Sequence, residues 1–311
     1  MNNSQIEAIL SAHIDHKNIL VNEPMANHTS FKIGGPADVL VSADSIEVVK
    51  KSVALCKEHD IPYQIMGNGS NLLVCDEGIE GVVIKISDQF NAVSIDGDLI
   101  KAQSGVLLSS LSKMIMEAHL TGFEFASGIP GTLGGAVFMN AGAYGGEMKD
   151  VIVGVTVLDE HGELKYLTNG ELELGYRNSV IQRKKYVVLE ADIKLEKGNH
   201  DEIRLYTKEL TKKRTTKQPL HLPSAGSTFK RPPNNYAGKL IQDAGLKGVR
   251  FGDAQVSDKH SGFVVNHGGA SCDDILSLIR FVQKVVYDQF EVNLEPEVRF
   301  LGRGFNDQNH C

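Results

Sequence analysis

The chain has 311 residues, with 32 Lys and Arg against 39 Asp and Glu, a formal net charge of −7. Apolar residues make up 41% and charged residues 23%, the proportions of a globular chain rather than a disordered one. The length accommodates two or three ordinary domains and a core that needs no disulfide or structural metal, and the negative balance argues against general nucleic-acid binding.

The first segment, MNNSQIEAILSAHIDHK, carries Glu7 and Asp15 and no apolar h-region, so it does not read as a signal peptide. No later run approaches the ~18 apolar residues of a membrane span. A helix is predicted over 45–59, with Val48, Val49, Val53 and Leu55 on one side and Ile61-Pro62 ending it. A strand over 63–66 runs straight into Gly67-Asn68-Gly69-Ser70-Asn71, and another follows at 82–86. Segments 92–95 and 99–102 flank Asp96-Gly97, a hairpin signal. An amphipathic helix is predicted over 105–119, from the spacing of Leu107, Leu108, Leu111, Met114, Ile115 and Ala118. Strands follow at 151–158, 163–167 and 187–195, then a charged helix at about 201–214. Residues 215–232 read as a linker. Helices at 236–244 and 272–290 follow, the second opened by a Ser271/Asp274 capping box and striped by Ile275, Ile279, Val282 and Val286. The strands and helices do not keep a strict βαβ rhythm, so the expected class is α+β. The four cysteines, Cys56, Cys75, Cys272 and Cys311, have no CxxC or metal spacing and read as free thiols in a reducing cytoplasm, with no metal site.

The 31 glycines are concentrated in 67–81 and 122–146. The loop MGNGSN offers clustered backbone N–H groups suited to phosphate oxygens. It is neither G-x-G-x-x-G, since Leu72 holds the sixth position, nor a P-loop. By itself it reads more readily as a tight strand-to-strand turn. The second stretch, SGIPGTLGGAVFMNAGAYGGE, is costly in conformational entropy unless its backbone closely approaches a ligand. Two such loops suggest one extended dinucleotide lying across two domains.

Six segments carry a resemblance to a known family: NHTSFKIGGPAD at 27–38, GNGSNLLV at 67–74, SGIPGTLGGAVFMNAGAYGGE at 127–147, GYRNS at 175–179, SAGSTFKRP at 224–232 and LEPEVRFLG at 294–302. In order and spacing the chain resembles the UDP-N-acetylenolpyruvoylglucosamine reductases, flavoenzymes of bacterial cell-wall synthesis. The resemblance implies a three-domain FAD-binding fold of the vanillyl-alcohol-oxidase type with a C-terminal α/β substrate domain. The expected regions are 1–86 and 87–214 for FAD, 215–298 for substrate, and a tail at 299–311. The resemblance implies FAD and NADPH as cofactors. It implies transfer of hydride from reduced flavin to C3 of UDP-N-acetylglucosamine enolpyruvate, and a proton to C2. It implies small-molecule partners only, with no nucleic acid or membrane, for a cytoplasmic monomer or weak oligomer.

Carried over position by position, the resemblance makes Ser227 the proton donor and Arg177 and Glu297 the pair that stabilises the enol intermediate. An Arg guanidinium suits a substrate carboxylate, and a fixed cation near developing charge is a large catalytic effect. Glu297 would act protonated or as a hydrogen-bonding group. Cofactor contacts are expected at Gly67, Asn68, Gly69, Ser70 and Asn71 in the first loop. In the second they are expected at Ser127, Gly128, Ile129, Pro130, Gly131, Gly134 and Gly135, and at Asn140, Ala141, Gly142, Ala143, Tyr144 and Gly145. Substrate contacts are expected at Tyr176, Arg214, Lys217, Lys230 and Arg231, with Lys230 a possible helper of Ser227. His119 and His267 are spare candidates for a covalent flavin link, although the family is generally non-covalent.

One subclass of the family carries an insertion with a substrate-covering tyrosine after the strand at 187–195. Only Glu196–Asn199 separate that strand from the next helix here, so the chain resembles the shorter subclass. Arg231 stands where the first subclass has asparagine, and a guanidinium there suits phosphate. Two other readings stay open at this point: an FAD-dependent sugar or alcohol oxidase of the same superfamily, and a non-catalytic nucleotide-binding module.

Overall fold

The computed structural model describes residues 1–305, so Cys311 lies outside the described residues. The described part is mixed α and β. It divides into two compact units. One comprises residues 1–20, 40–68 and 83–214; the other comprises 21–39, 69–82 and the chain from 215 onward. The units interleave, where the sequence suggests consecutive regions ending at 86, 214 and 298.

In the first unit, α1 spans Asn3–Ser11, opened by an Asn2/Gln5 capping box. Helix α2 spans Ile46–Glu58, where Ser45 Oγ accepts from the Val48 N–H and Val49, Val53 and Leu55 are buried. The predicted strand at 63–66 forms as Tyr63–Met66. Helix α3 is shorter than predicted, Leu108–Glu117, and leaves Leu107 and Met114 exposed while Leu108, Leu111 and Ile115 are buried. Burying each such leucine is worth about 1.5–3 kcal/mol. Helix α4, Leu133–Met139, lies inside the glycine-rich stretch and ends at Asn140 in left-handed conformation. Short helices α5, Asn169–Leu172, and α6, Val180–Lys184, precede α7, His200–Lys217.

The unit's five-stranded antiparallel sheet runs in the order Leu164–Thr168, Ile152–Leu158, Val187–Lys194, Leu99–Gln103, Val93–Asp96. The last two strands form the hairpin at Asp96-Gly97. Val187, Leu189, Ala191 and Ile193 alternate inward, and Ala191 and Ile193 pair with Ala102 and Ile100. Helices α3 and α4 cover this face, giving one apolar core that includes Leu111, Leu133, Val137, Val155 and Ile193.

In the second unit, α8 spans Ala237–Asp243 and α9 spans Cys272–Phe290. The α9 capping box forms: Ser271 Oγ accepts from the Asp274 N–H and an Asp274 carboxylate oxygen accepts from the Ser271 N–H, each at 3.0 Å. Its stripe, Ile275, Ile279, Val282 and Val286, packs with Leu240, Ile241, Val256 and Val264. A three-stranded sheet, Arg250–Phe251, Ala254–Val256 and Val264–Asn266, lies beside it. Arg299–Leu301, expected in the tail, instead form a strand parallel to Leu72–Val74.

The buried cysteines are free thiols. Burial pushes the Cys56 thiol up to about 12 and, with Glu77 nearby, Cys75 to about 11; Cys272 is raised further by burial.

Candidate active site

The loop 67–71 leaves the strand Tyr63–Met66 and enters Leu72–Val74, which pairs with Arg299–Leu301. It is therefore a connection between two sheets, not a hairpin turn. A Cβ on Gly67 would lie 2.6 Å from Thr132 Oγ1. Thr132 is the residue that opens α4 in the second glycine-rich stretch. Within the first unit the two stretches therefore meet at Gly67 and Thr132. At this approach there is no room for a side chain on Gly67, and bare backbone of this kind is compatible with the phosphates of a dinucleotide such as FAD. Thr132 lies within the run SGIPGTLGGAVFMNAGAYGGE but not among the contacts expected there.

The second stretch is closed by Arg214, whose stem crosses Gly128: an added Cβ would be 2.9 Å from Arg214 Cδ. Burial depresses the guanidinium pKa, and the Tyr144 side chain acts in the other direction. Arg214, expected at the substrate, thus stands beside residues expected at the cofactor. The run ends in a hairpin pairing Gly142–Ala143 with Gly146–Glu147, turned by Tyr144 and Gly145, both at positive φ. Tyr144 is exposed.

Arg177 sits in a tight turn in which Gly175 and Asn178 exchange backbone hydrogen bonds. Its φ is +53°, a left-handed conformation that costs a non-glycine residue roughly 1–2 kcal/mol. Gln182 Nε2 donates to its carbonyl at 3.1 Å. Its guanidinium lies 3.5 Å from the carbonyl oxygens of Asn140 and Gly142 and over the Tyr176 ring, 5.1 Å from the centroid. Asn140 is fully buried. Its Nδ2 donates to Glu147 and to the Gly175 carbonyl, and its Oδ1 accepts from the Lys149 N–H. The side chain expected to touch cofactor is thus engaged in bracing the Arg177 turn. Hydrogen bonds from Lys149 and Asn140, with the charges of Lys149 and Arg177, hold the Glu147 carboxyl below its ordinary range against the opposing effect of burial. Glu147 closes the run SGIPGTLGGAVFMNAGAYGGE, yet neither it nor Lys149 is among the expected site residues.

In the second unit, Gly226 has φ +77° and Ser227 is exposed beside the buried Thr228. Thr228 is tied on three sides. Its N–H donates to the Gly262 carbonyl at 2.8 Å, its carbonyl accepts from the Glu297 N–H at 2.8 Å, and its Oγ1 accepts from the Val264 N–H at 2.9 Å. Phe229 and Pro296 form the next bridge, and the Lys230 N–H donates to the Glu295 carbonyl. The segments holding Ser227 and Glu297 are therefore joined side by side. Asn71 extends the array: its Nδ2 donates to the Glu297 carbonyl at 3.0 Å, and its carbonyl accepts from the Arg299 N–H.

Lys230 ion-pairs with Glu295 rather than with Ser227. Arg231 lies on the Tyr236 ring, 4.1 Å from its centroid, and its Nε donates to the Asn235 carbonyl. Lys217, at the end of α7, is exposed and near enough to His260 to depress its pKa. His260 gave no sequence signal.

Two family models match the chain: an FAD binding domain over residues 37–168, and a UDP-N-acetylenolpyruvoylglucosamine reductase C-terminal domain over 218–301. A protein from Alkaliphilus oremlandii named UDP-N-acetylenolpyruvoylglucosamine reductase is 58% identical over 91% of this chain and 93% of its own length. One of the same name from Clostridioides difficile is 52% identical over 97% and 99%. A solved reductase of this kind from Thermus caldophilus matches with a TM-score of 0.78 and 34% identity, over 91% of this chain and 98% of its own.

Proposed function

The chain belongs to the UDP-N-acetylenolpyruvoylglucosamine reductase family, FAD-containing oxidoreductases of peptidoglycan precursor synthesis, and we propose that it reduces UDP-N-acetylglucosamine enolpyruvate to UDP-N-acetylmuramate at the expense of NADPH. Family membership sets aside the oxidase and binding-module readings. The close approach of Gly67 to Thr132 supports reading the two glycine stretches as the FAD phosphate contacts, with Arg214 beside the second. Bound FAD supplies the hydride carrier between NADPH and C3 of the enolpyruvyl group.

The chain's own residues handle charge and proton. Addition at C3 leaves a carbanion at C2 that is delocalised as an enolate into the substrate carboxylate. Arg177, its turn braced by Asn140 and Gln182, holds that developing negative charge. Ser227 delivers the proton to C2, and Glu297 hydrogen-bonds the enol oxygen. Lys217 and Arg231 hold the diphosphate, and Tyr176 flanks the sugar. The protein acts in the cytoplasm on these small molecules, as a monomer or weak oligomer.

The observation that carries this reading is the hydrogen-bonded ladder that seats Ser227 beside Glu297 through Thr228. Stopped-flow separation of the half-reactions tests it. In Ser227→Ala, NADPH reduces the flavin at the wild-type rate, while reoxidation by the sugar nucleotide falls by about 10²–10⁴. Reoxidation at the wild-type rate would remove Ser227 from the role.

A further inference from the structure

His260 is half-buried in the turn between the strands Ala254–Val256 and Val264–Asn266. The turn grips it closely. Its N–H and that of Lys259 reach Ser257 Oγ at 3.3 and 3.2 Å. Its ring stands edge-on to Phe263, centroids 4.9 Å apart. A Cβ added to Gly238 of α8 or to Gly262 would approach Cε1 to 3.5 or 3.1 Å, so the ring fills the space beside α8. The Gly262 N–H donates to Nδ1 at 3.2 Å. Nδ1 is therefore the acceptor nitrogen, and the ring is neutral with its proton on Nε2. The Gly262 carbonyl accepts from Thr228, and the Thr228 carbonyl accepts from Glu297. One chain of hydrogen bonds runs from the imidazole, through Gly262 and Thr228, to the backbone of Glu297, and Ser227 is the residue that precedes Thr228.

We propose that His260 is a positioning residue: as a neutral acceptor it sets the Ser227 turn and Glu297, and its protonation releases them. The proposal rests on the reading of Ser227 as the proton donor. A protonated ring would point an N–H at the Gly262 N–H, replacing a hydrogen bond with two opposed donors. The charged groups around the ring favour the neutral form. Burial, then Lys247 and Lys217, hold its pKa below the usual imidazole value against the opposing effect of a hydrogen bond with its own backbone. Lys259 is a further adjacent cation whose Nζ donates to the Thr215 carbonyl. Asp258 is engaged by Gln255 Nε2, and Lys239 and Asp243 of α8 pair with each other. Because the folded-state pKa is depressed, the positioning is intact at neutral pH and is lost as pH falls through that pKa, below about 6.5.

The test compares wild type, His260→Ala and His260→Asn as FAD-loaded full-length proteins, with both half-reactions followed across pH 5–8. Asn Oδ1 takes the place of Nδ1 without titrating. In His260→Ala, reoxidation by the sugar nucleotide slows about tenfold while reduction by NADPH stays within about twofold of wild type. His260→Asn recovers most of that loss and lacks the acid limb of reoxidation. Equal slowing of both half-reactions, no recovery in His260→Asn, or an acid limb that persists in it would each overturn the proposal. Ser227→Ala run alongside separates the two ideas: wild-type reoxidation there defeats the proton-donor reading, whatever His260 does.

Discussion

The N–H of Glu297 donates to the carbonyl of Thr228 at 2.8 Å, one residue from Ser227. Two short segments, SAGSTFKRP and LEPEVRFLG, lie about 70 residues apart in sequence, yet this bond makes them neighbours. Ser227, the proposed proton donor, and Glu297, proposed to stabilise the enol, thus stand on backbone segments that Thr228 joins.

Thr228→Val tests that placement. It keeps the shape but removes Oγ1, leaving the Val264 N–H buried without its acceptor. The expected cost is about 1–3 kcal/mol of stability, read by urea unfolding. A variant as stable as wild type would show that the Thr228 hydroxyl is dispensable.

Asn140 supports Arg177 in the same manner. It combines a φ of +43° with complete burial and three side-chain hydrogen bonds. Asn140→Gly tolerates the backbone conformation and loses the bonds, while Asn140→Ala loses both. Thermal melts are expected to rank wild type above Asn140→Gly and Asn140→Ala lowest, the last two separated by about 1 kcal/mol. Equal losses would mean the left-handed conformation carries no cost there.

Arg231 is held against the Tyr236 ring. Arg231→Ala is expected to raise KM for the sugar nucleotide about tenfold with a smaller change in kcat, as for loss of a phosphate contact that persists through the reaction. An unchanged KM would take the diphosphate away from Arg231.

Glu147 gives a pH signature. Hydrogen bonds from Lys149 and Asn140 keep its carboxyl below the ordinary value, so the folded state favours the ionised form. Its contribution to stability is present above the ordinary carboxylate pKa and is lost as pH falls through the depressed one. Glu147→Gln should therefore flatten the decline in stability over roughly pH 5 to 3. Identical acid melting profiles for variant and wild type would contradict this.

Local signals account for what the sequence made legible. The Ser271/Asp274 capping box and the Ile275–Val286 stripe define α9 over its full length, because caps and stripes are written within a few residues of where they act. Helix α4 was hidden because its Gly134-Gly135 pair resembles loop. Strands of two or three residues, as at Arg250–Phe251 and Ala254–Val256, are too short to show a period. The interleaving of units comes from distant pairings such as Leu72–Val74 with Arg299–Leu301, which no local pattern encodes. The site divides likewise. Arg177, Ser227 and Glu297 stand in recognisable motifs, as do Thr132 and Glu147 in the glycine-rich one, but what Thr132, Glu147 and His260 touch depends on partners the fold brings to them. Lys230 looked available near Ser227, but Glu295 takes its ammonium group.

The central claim is that this chain carries hydride from NADPH through FAD to an enolpyruvyl sugar nucleotide. Anaerobic titration of the purified holoprotein, followed at the flavin band near about 450 nm, measures it most directly. Bleaching by NADPH and stoichiometric recovery on adding UDP-N-acetylglucosamine enolpyruvate is the predicted result. A flavin that NADPH reduces but that this substrate leaves bleached, recovering only when oxygen is admitted, would contradict it.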